Sequence, residues 1–312
     1  MPAHRPFRFG IQVSNAPSAE AWAALARRAE DLGFSTFFMP DHFGDQLAPI
    51  PALMAAADAT TELRVGSLVL DNDFKHPLVL AKEAATIDVL SNGRLELGLG
   101  AGWMITDYEE SGIPYDSPGV RVDRFEEAVA VFKGLFAEGP FTFEGKHYRI
   151  TAHDARPKPV QQPLPILIGG GARRILAIAG READIVGVNF NLRAGKVTPD
   201  SGPDGTAEMI EQKLAWVRAG AGDRYDDLEL QMMVVAAVVT DDREGTANAF
   251  APGFKLTPEQ LLAMPPVLMG THQQMIDDLV ARRERFGFSY IVFQGDAQLD
   301  AMAPVVAKLR GT

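Results

Sequence analysis

Short apolar runs alternate with amphipathic stretches along almost the whole chain, and their spacing predicts strand and helix by turns. Phe7-Arg8-Phe9-Gly10-Ile11-Gln12-Val13 has the period of a strand; Ser18 then caps an Ala-rich helix whose apolar face carries Trp22, Leu25, Ala29 and Leu32 before Gly33 ends it. Thr36 to Met39 reads as a second strand, Ala52 to Ala59 as a helix and Leu63 to Leu70 as a third strand, with Pro77 opening a helix to Leu90. Arg94 to Leu97 starts a fourth strand that runs into Gly98-Leu99-Gly100-Ala101-Gly102, and Phe125, Val129 and Phe132 mark the buried side of a helix from Arg121 to Phe136. Strands five to eight are expected at Ile166 to Ile168, Ala183 to Gly187, Leu228 to Val235 and Tyr290 to Phe293. Helices follow up to Gly180, over Ala207 to Val217, over Gln273 to Phe286 and over Leu299 to Leu309.

Strands this apolar have no wet face, so they belong in a parallel sheet covered by helices, and eight strand–helix units close into a (β/α)8 TIM barrel. One domain over residues 1–312 is expected, with two segments in excess of the repeat. Around Glu144-Gly145-Lys146-His147, residues 141–150 read as a surface hairpin. Residues 241–266, punctuated by Pro252-Gly253 and Pro265-Pro266, read as an insertion that chain direction places over the C-terminal face as a lid. Asn189 to Gly205, rich in Gly, Pro and Asp, is the stretch expected to be mobile.

Composition narrows the function classes. With 46% apolar and 23% charged residues, the 312-residue chain can bury a large core and solvate its surface. A net charge of −11 works against phosphate polyanions and anionic lipid, so neither nucleic acid nor membrane is an expected partner. The absence of cysteine excludes disulfides and thiolate chemistry. Met1 to Gly10 has no long apolar stretch of the kind a signal peptide or anchor needs, and the expected location is cytoplasmic. Six scattered histidines suggest no metal site, and no Gly-x-Ser-x-Gly, Walker or His-Glu-x-x-His pattern occurs.

Candidate chemistry sits at the strand ends. Asp41-His42 follows strand two, where a barrel exposes side chains to substrate, and His42 can exchange a proton near neutral pH. The alternative is that Asp41 caps a turn and His42 packs on Phe43. Asp71-Asn72-Asp73 after strand three can meet the polar edge of a flat heterocycle, or simply make a turn. Gly98 to Gly102 and Gly169-Gly170-Gly171-Ala172 offer backbone N–H groups to an anion, or merely turn the chain tightly. Trp103 at the sixth position spoils a dinucleotide fingerprint. Asp107, Tyr108, Glu109 and Glu110 read as a solvated helical face.

Taken in order, Pro40-Asp41-His42-Phe43, His76-Pro77, the run Ala81 to Arg94, Gly98 to Trp103 and Arg124-Phe125-Glu126-Glu127 resemble the luciferase-like monooxygenase superfamily over nearly the whole chain. Asp41-His42-Phe43 and Asp71-Asn72-Asp73 look most like the branch that uses the deazaflavin coenzyme F420 in place of FMN. The resemblance implies a non-prolyl cis peptide at Leu68-Val69 behind the cofactor ring and Asp71 beside the ring's polar edge. It implies that Gly100, Ala101 and Thr106 line the cofactor tail and that Gly171 and Ala172 hold its phosphate. His42 then corresponds to the base of deazaflavin-dependent alcohol and sugar-phosphate dehydrogenases, with Asp41 as its neighbour. Trp103 stands where the sugar-phosphate enzymes carry an acid, so it is expected to wall an apolar substrate pocket with Phe43 and Phe74. The function expected is hydride transfer between F420 and a small organic substrate in a homodimer. The alternatives are an FMN-dependent monooxygenase and a non-catalytic cofactor-binding protein.

Overall fold

In a computed structural model that describes residues 5–312, the chain winds from strand to helix in the order β1 (Arg8–Gln12), α1 (Ala19–Asp31), β2 (Thr36–Met39), α2 (Pro49–Asp58), β3 (Arg64–Ser67), β4 (Leu70–Asp71), α3 (Pro77–Leu90), β5 (Leu95–Gly100). Next come α4 (Ile105–Ser111), α5 (Pro118–Phe136), β6 (Phe141–Glu144), β7 (Arg149–His153), β8 (Ile166–Gly170), α6 (Arg173–Glu182), β9 (Ile185–Val188) and α7 (Ala207–Ala221). The last part holds β10 (Glu229–Val234), β11 (Ala236–Val239), α8 (Arg243–Phe250), α9 (Pro258–Ala263), β12 (Val267–Gly270), α10 (His272–Phe286), β13 (Phe288–Gln294) and α11 (Gln298–Leu309). The expectation about Met1 to Gly10 falls partly on Met1 to His4, outside the described residues. Among the described residues, no helix is long and apolar enough to cross a membrane.

The strands run β3-β2-β1-β13-β10-β9-β8-β5, all parallel, and β3 pairs back onto β5 to close the ring. With β4 continuing the line of β3 beside β5, this is an eight-stranded (β/α)8 barrel. Its strands are buried on both faces: every residue of β2 and β5 lies inside. Outside the ring, the strands and helices share one continuous core that includes Phe9, Phe37, Phe132 and Phe293. A second cluster of Phe38, Leu167, Ile185, Tyr290 and Val292 packs with Leu68 and Val69. Local signals set the helix starts: the Ser18 hydroxyl accepts from Ala21 N–H, Pro77 stands at the opening of α3, and Thr271 and Gln274 form a reciprocal cap on α10.

The first residues of several strands carry charge, which collects at the N-terminal end of the barrel. Glu96, 1% exposed, accepts from Arg8 Nη1 at 2.5 Å, from Arg64 Nε at 2.8 Å and from the Tyr290 hydroxyl at 2.9 Å. Arg8 forks onto Glu229 at 2.7 and 2.5 Å and lies over the Tyr290 ring. Arg8 and Arg64 hold the Glu96 carboxyl below its ordinary range against a burial that works the other way.

The structure departs from some expectations and adds detail to others. The third strand is not continuous, because it breaks between Ser67 and Leu70; α2 begins at Pro49, not Ala52. Residues 241–266 contain α8, a 3₁₀ turn over Ala251–Phe254 and α9, bracketed by a parallel pair, β11 with β12, that the pattern did not reveal. Residues 141–153 form the antiparallel pair β6–β7. The stretch Asn189 to Gly205 is tied to α7 by Lys213, whose Nζ donates to the Asn189 carbonyl at 2.8 Å, the Asp204 carbonyl at 2.8 Å and the Asp204 carboxylate at 2.5 Å.

Truncating Glu96 strands two arginines and a phenol that share its carboxylate. Urea unfolding of Glu96→Ala should show a stability loss of about 3 kcal/mol or more. A loss below about 1 kcal/mol would mean that the cluster is no stronger than a solvated ion pair.

Candidate active site

The C-terminal ends of the strands open into a cavity of about 1100 Å³, and its walls come from the loops after β1, β2, β5, β8, β9 and β10. Its shape begins with the break in the third strand. The Leu68-Val69 peptide is cis, and the Leu68 carbonyl accepts from Gln12 Nε2 at 2.6 Å. Val69 packs where neighbouring strands have no side chain: a Cβ on Gly100 would sit 2.5 Å from Val69 Cγ2, and one on Gly169 3.2 Å from Cγ1. Part of the glycine pattern is therefore explained by close packing rather than anion binding, since a Cβ on Gly98 would lie 1.8 Å from the Ser67 carbonyl oxygen. Leu68, Val69, Gly100, Ala101 and Thr106 all line the cavity.

One wall carries the ionisable groups. His42, with a side chain 25% exposed, places Nδ1 2.7 Å from Asp107 Oδ2, and Asp107 Oδ1 accepts from the Phe43 N–H at 3.1 Å. Trp103 meets the imidazole edge-on, with centroids 5.6 Å apart. The acid beside His42 is thus Asp107, not its sequence neighbour Asp41. Asp41 also lines the cavity and accepts from the Asp71 N–H at 3.1 Å. The expectation of a solvated face on α4 holds for Glu109 and Glu110 but fails for Asp107 and Tyr108, which are buried.

Burial pushes the Asp41 carboxyl up to about 6, with the Asp71 N–H and His42 opposing the shift. Burial likewise pushes Asp71 up to about 7, reinforced by the charges of Asp73 and Asp41 and opposed by the Asp73 N–H and the Tyr108 hydroxyl. That hydroxyl lies 3.0 Å from Asp71 Oδ2 and 3.0 Å from Asp73 Oδ2, and Arg124 Nε holds Asp73 at 2.8 Å. Burial beside Asp71 and Asp73 keeps the Tyr108 phenol far from ionising.

At the other end of the cavity, Gly171 and Ala172 lead into α6, whose N-cap Ala172 has no side chain to satisfy the free N–H groups. A Cβ on Gly171 would overlap the Phe190 carbonyl oxygen at 2.1 Å. Two buried cavity-lining side chains are incompletely satisfied among the described residues: Arg121 Nε and Gln231 Nε2 have no hydrogen-bond partner. A long cavity lined by strand-end backbone at Gly100, Gly169 and Gly170, with Asp71 in its wall and the start of α6 beside it, fits a flat, polar-edged group with an anionic tail.

The aromatic expectations divide. Trp103 lines the cavity, whereas Phe43 and Phe74 do not; they face each other at 4.4 Å, and Phe43 is 48% exposed. Sequence reasoning missed Asp107, Arg121 and Gln231. Asp107 was masked by the charge run around it, and Gln231 is one polar residue in an apolar strand.

Comparison with known proteins gives the class. The family description "luciferase-like monooxygenase" matches residues 5–290, and the chain belongs to that family. An uncharacterized protein of Mycobacterium tuberculosis is 27% identical over 306 residues, covering 89% of this chain and 96% of its own. An F420-dependent glucose-6-phosphate dehydrogenase of Nakamurella multipartita is 29% identical over 286 residues, covering 88% and 80%. An FMNH2-dependent dimethylsulfone monooxygenase of Pseudomonas putida is 29% identical over 252 residues, covering 77% and 65%. Among solved structures, the coenzyme F420-dependent tetrahydromethanopterin reductase of Methanopyrus kandleri shares the fold with a TM-score of 0.76 at 18% identity, covering 97% of this chain and 99% of that one. Family members with named activities are oxidoreductases, and both F420 and FMN occur among them.

Because the folded chain holds the Asp71 proton up to about 7 and an unfolded carboxyl releases it near 3.8, the native state binds more protons across that interval. Stability should therefore fall as pH rises from 4 to 7, by roughly 3–4 kcal/mol for this group. Asp71→Asn should flatten the slope in thermal unfolding measured across that range, and an unchanged slope would remove Asp71 as its source.

Proposed function

We propose that this chain is a coenzyme F420-dependent oxidoreductase that moves hydride between the deazaflavin and a small organic substrate, with His42 exchanging the accompanying proton. The observation that carries the reading is the His42 imidazole in the cavity wall, held by Asp107 beside Trp103 at the end of β2. F420-dependent relatives support the choice of cofactor.

When bound, the deazaflavin supplies a ring carbon that takes or gives hydride. Val69 and the bare backbone of Gly100 and Gly169 would back its ring, with Asp71 toward the polar edge. Ala101 and Thr106 would follow the tail, and Gly171 and Ala172 at the start of α6 would meet the phosphate. Hydride and proton together convert a CH–OH group to C=O: the C–H electron pair leaves with hydride and His42 takes the hydroxyl proton. In reverse, His42 returns that proton to the carbonyl oxygen. Trp103 cannot titrate, so it excludes water and shapes an apolar face for the substrate. Asp41, half-buried in the same cavity wall, accepts from the Asp71 N–H and so braces the loop after β4, while Asp107 is the acid hydrogen-bonded to His42.

FMN in the same cavity is the second reading, supported by the dimethylsulfone monooxygenase relative. Side-by-side fluorescence titrations with F420 and FMN separate the two. Selective F420 binding without oxygen consumption is expected; selective FMN binding with oxygen uptake would transfer the chain to the monooxygenases. His42→Ala should keep cofactor affinity and lose about 10²–10⁴ in turnover on any alcohol or ketone the wild type converts. Full turnover in that variant would remove His42 from the chemistry.

A further inference from the structure

Asp107 spends both carboxylate oxygens on the loop after β2, Oδ2 on the His42 ring and Oδ1 on the Phe43 backbone. It is 4% exposed, on a helix of seven residues whose other inward side chain, Tyr108, reaches Asp71 and Asp73. A carboxylate oxygen can only accept, so the contact at 2.7 Å requires the proton of neutral His42 to be on Nδ1. Nε2, on the ring edge away from Asp107, is then left with a lone pair. The second contact fixes the backbone beside the ring, and Trp103 restricts ring rotation from the side.

We infer that Asp107 is a positioning residue that selects the Nδ1–H tautomer of His42 and so presents Nε2 to the cavity as a proton acceptor. Free imidazole in water prefers the opposite tautomer, so the preference is imposed by the site. The inference rests on the acid–base role given to His42 above. Its chemical content is that the resting protein is armed as a base toward a substrate hydroxyl, and it returns a proton only after it has taken one up.

The test is the tautomer itself, read without cofactor or substrate. Long-range proton–nitrogen correlation spectra of protein with ¹⁵N-labelled histidine, recorded over a pH series up to the plateau at which the ring nitrogens show the neutral form, identify His42 by loss of its signals in His42→Ala. Wild type should show a protonated Nδ1 and a bare Nε2. In Asp107→Asn, the amide oxygen can keep the Phe43 contact while the NH₂ donates to Nδ1, which drives the ring proton to Nε2. Asp107→Glu should retain the Nδ1–H form. In serine proteases an Asp-to-Asn change beside the catalytic imidazole costs roughly 10⁴ in turnover through the wrong tautomer. A loss of about 10²–10⁴ with unchanged cofactor affinity is expected here.

An Nε2–H ring in wild type, or an Nδ1–H ring that persists in Asp107→Asn, overturns the inference. If Asp107→Asn does not fold, the wild-type and Asp107→Glu spectra decide it. Full turnover of His42→Ala would sink the proton-transfer role of His42 and leave the tautomer result to stand by itself, so the two failures are distinguishable.

Discussion

Strands buried on both faces can satisfy their backbone only through one another, and closing them into a ring leaves no edge to protect. The polar side chains discussed above are accordingly found toward the two ends of the barrel. At the N-terminal end the charges answer one another: Glu96 is surrounded by Arg8, Arg64 and Tyr290, and Glu229 takes the rest of Arg8. At the C-terminal end they do so only in part: Arg124 holds Asp73 and His42 meets Asp107, while Asp41 and Asp71 lie near other carboxyls. Asp71 is buried and Asp41 half-buried, and both hold their protons unusually tightly in the cavity wall. That inequality between two ends of one cylinder marks the end built to receive something.

The alternation of strand and helix was legible because each strand is too apolar to face water and several helices announce their starts, as at Ser18 and Pro77. What escaped was what the hydrophobic pattern cannot encode. Leu68 and Val69 continue an apolar run, so nothing in their character shows that the strand breaks there; only the family resemblance pointed to it. Similarly, β11 follows β10 after a single residue, and its partner β12 lies beyond two helices. Short parallel pairs joined by long excursions leave no local signature.

The site was half legible for a related reason. Position after β2 singled out His42, and adjacency suggested Asp41 as its acid. Yet both residues follow the end of β2 in an irregular loop, where adjacency does not set partners: Asp41 reaches the Asp71 backbone while His42 reaches across to α4. The run Asp107 to Glu110 looks uniformly solvated in one dimension. Wound into a helix, it splits between an inward pair and an outward pair. Phe43 and Phe74 were placed in the pocket on character alone, and they pair with each other instead.

Lys213 gives one more lesson, about how such enzymes diversify. The segment Asn189 to Gly205 contributes much of the cavity rim, yet the ammonium that fastens it belongs to α7, outside the segment. Loop and helix therefore form a single inheritable module. Exchanging the rim without α7 would keep backbone carbonyls for the buried ammonium only if the new segment followed the same path, and would remove the carboxylate that answers its charge unless an acid stood at the position of Asp204.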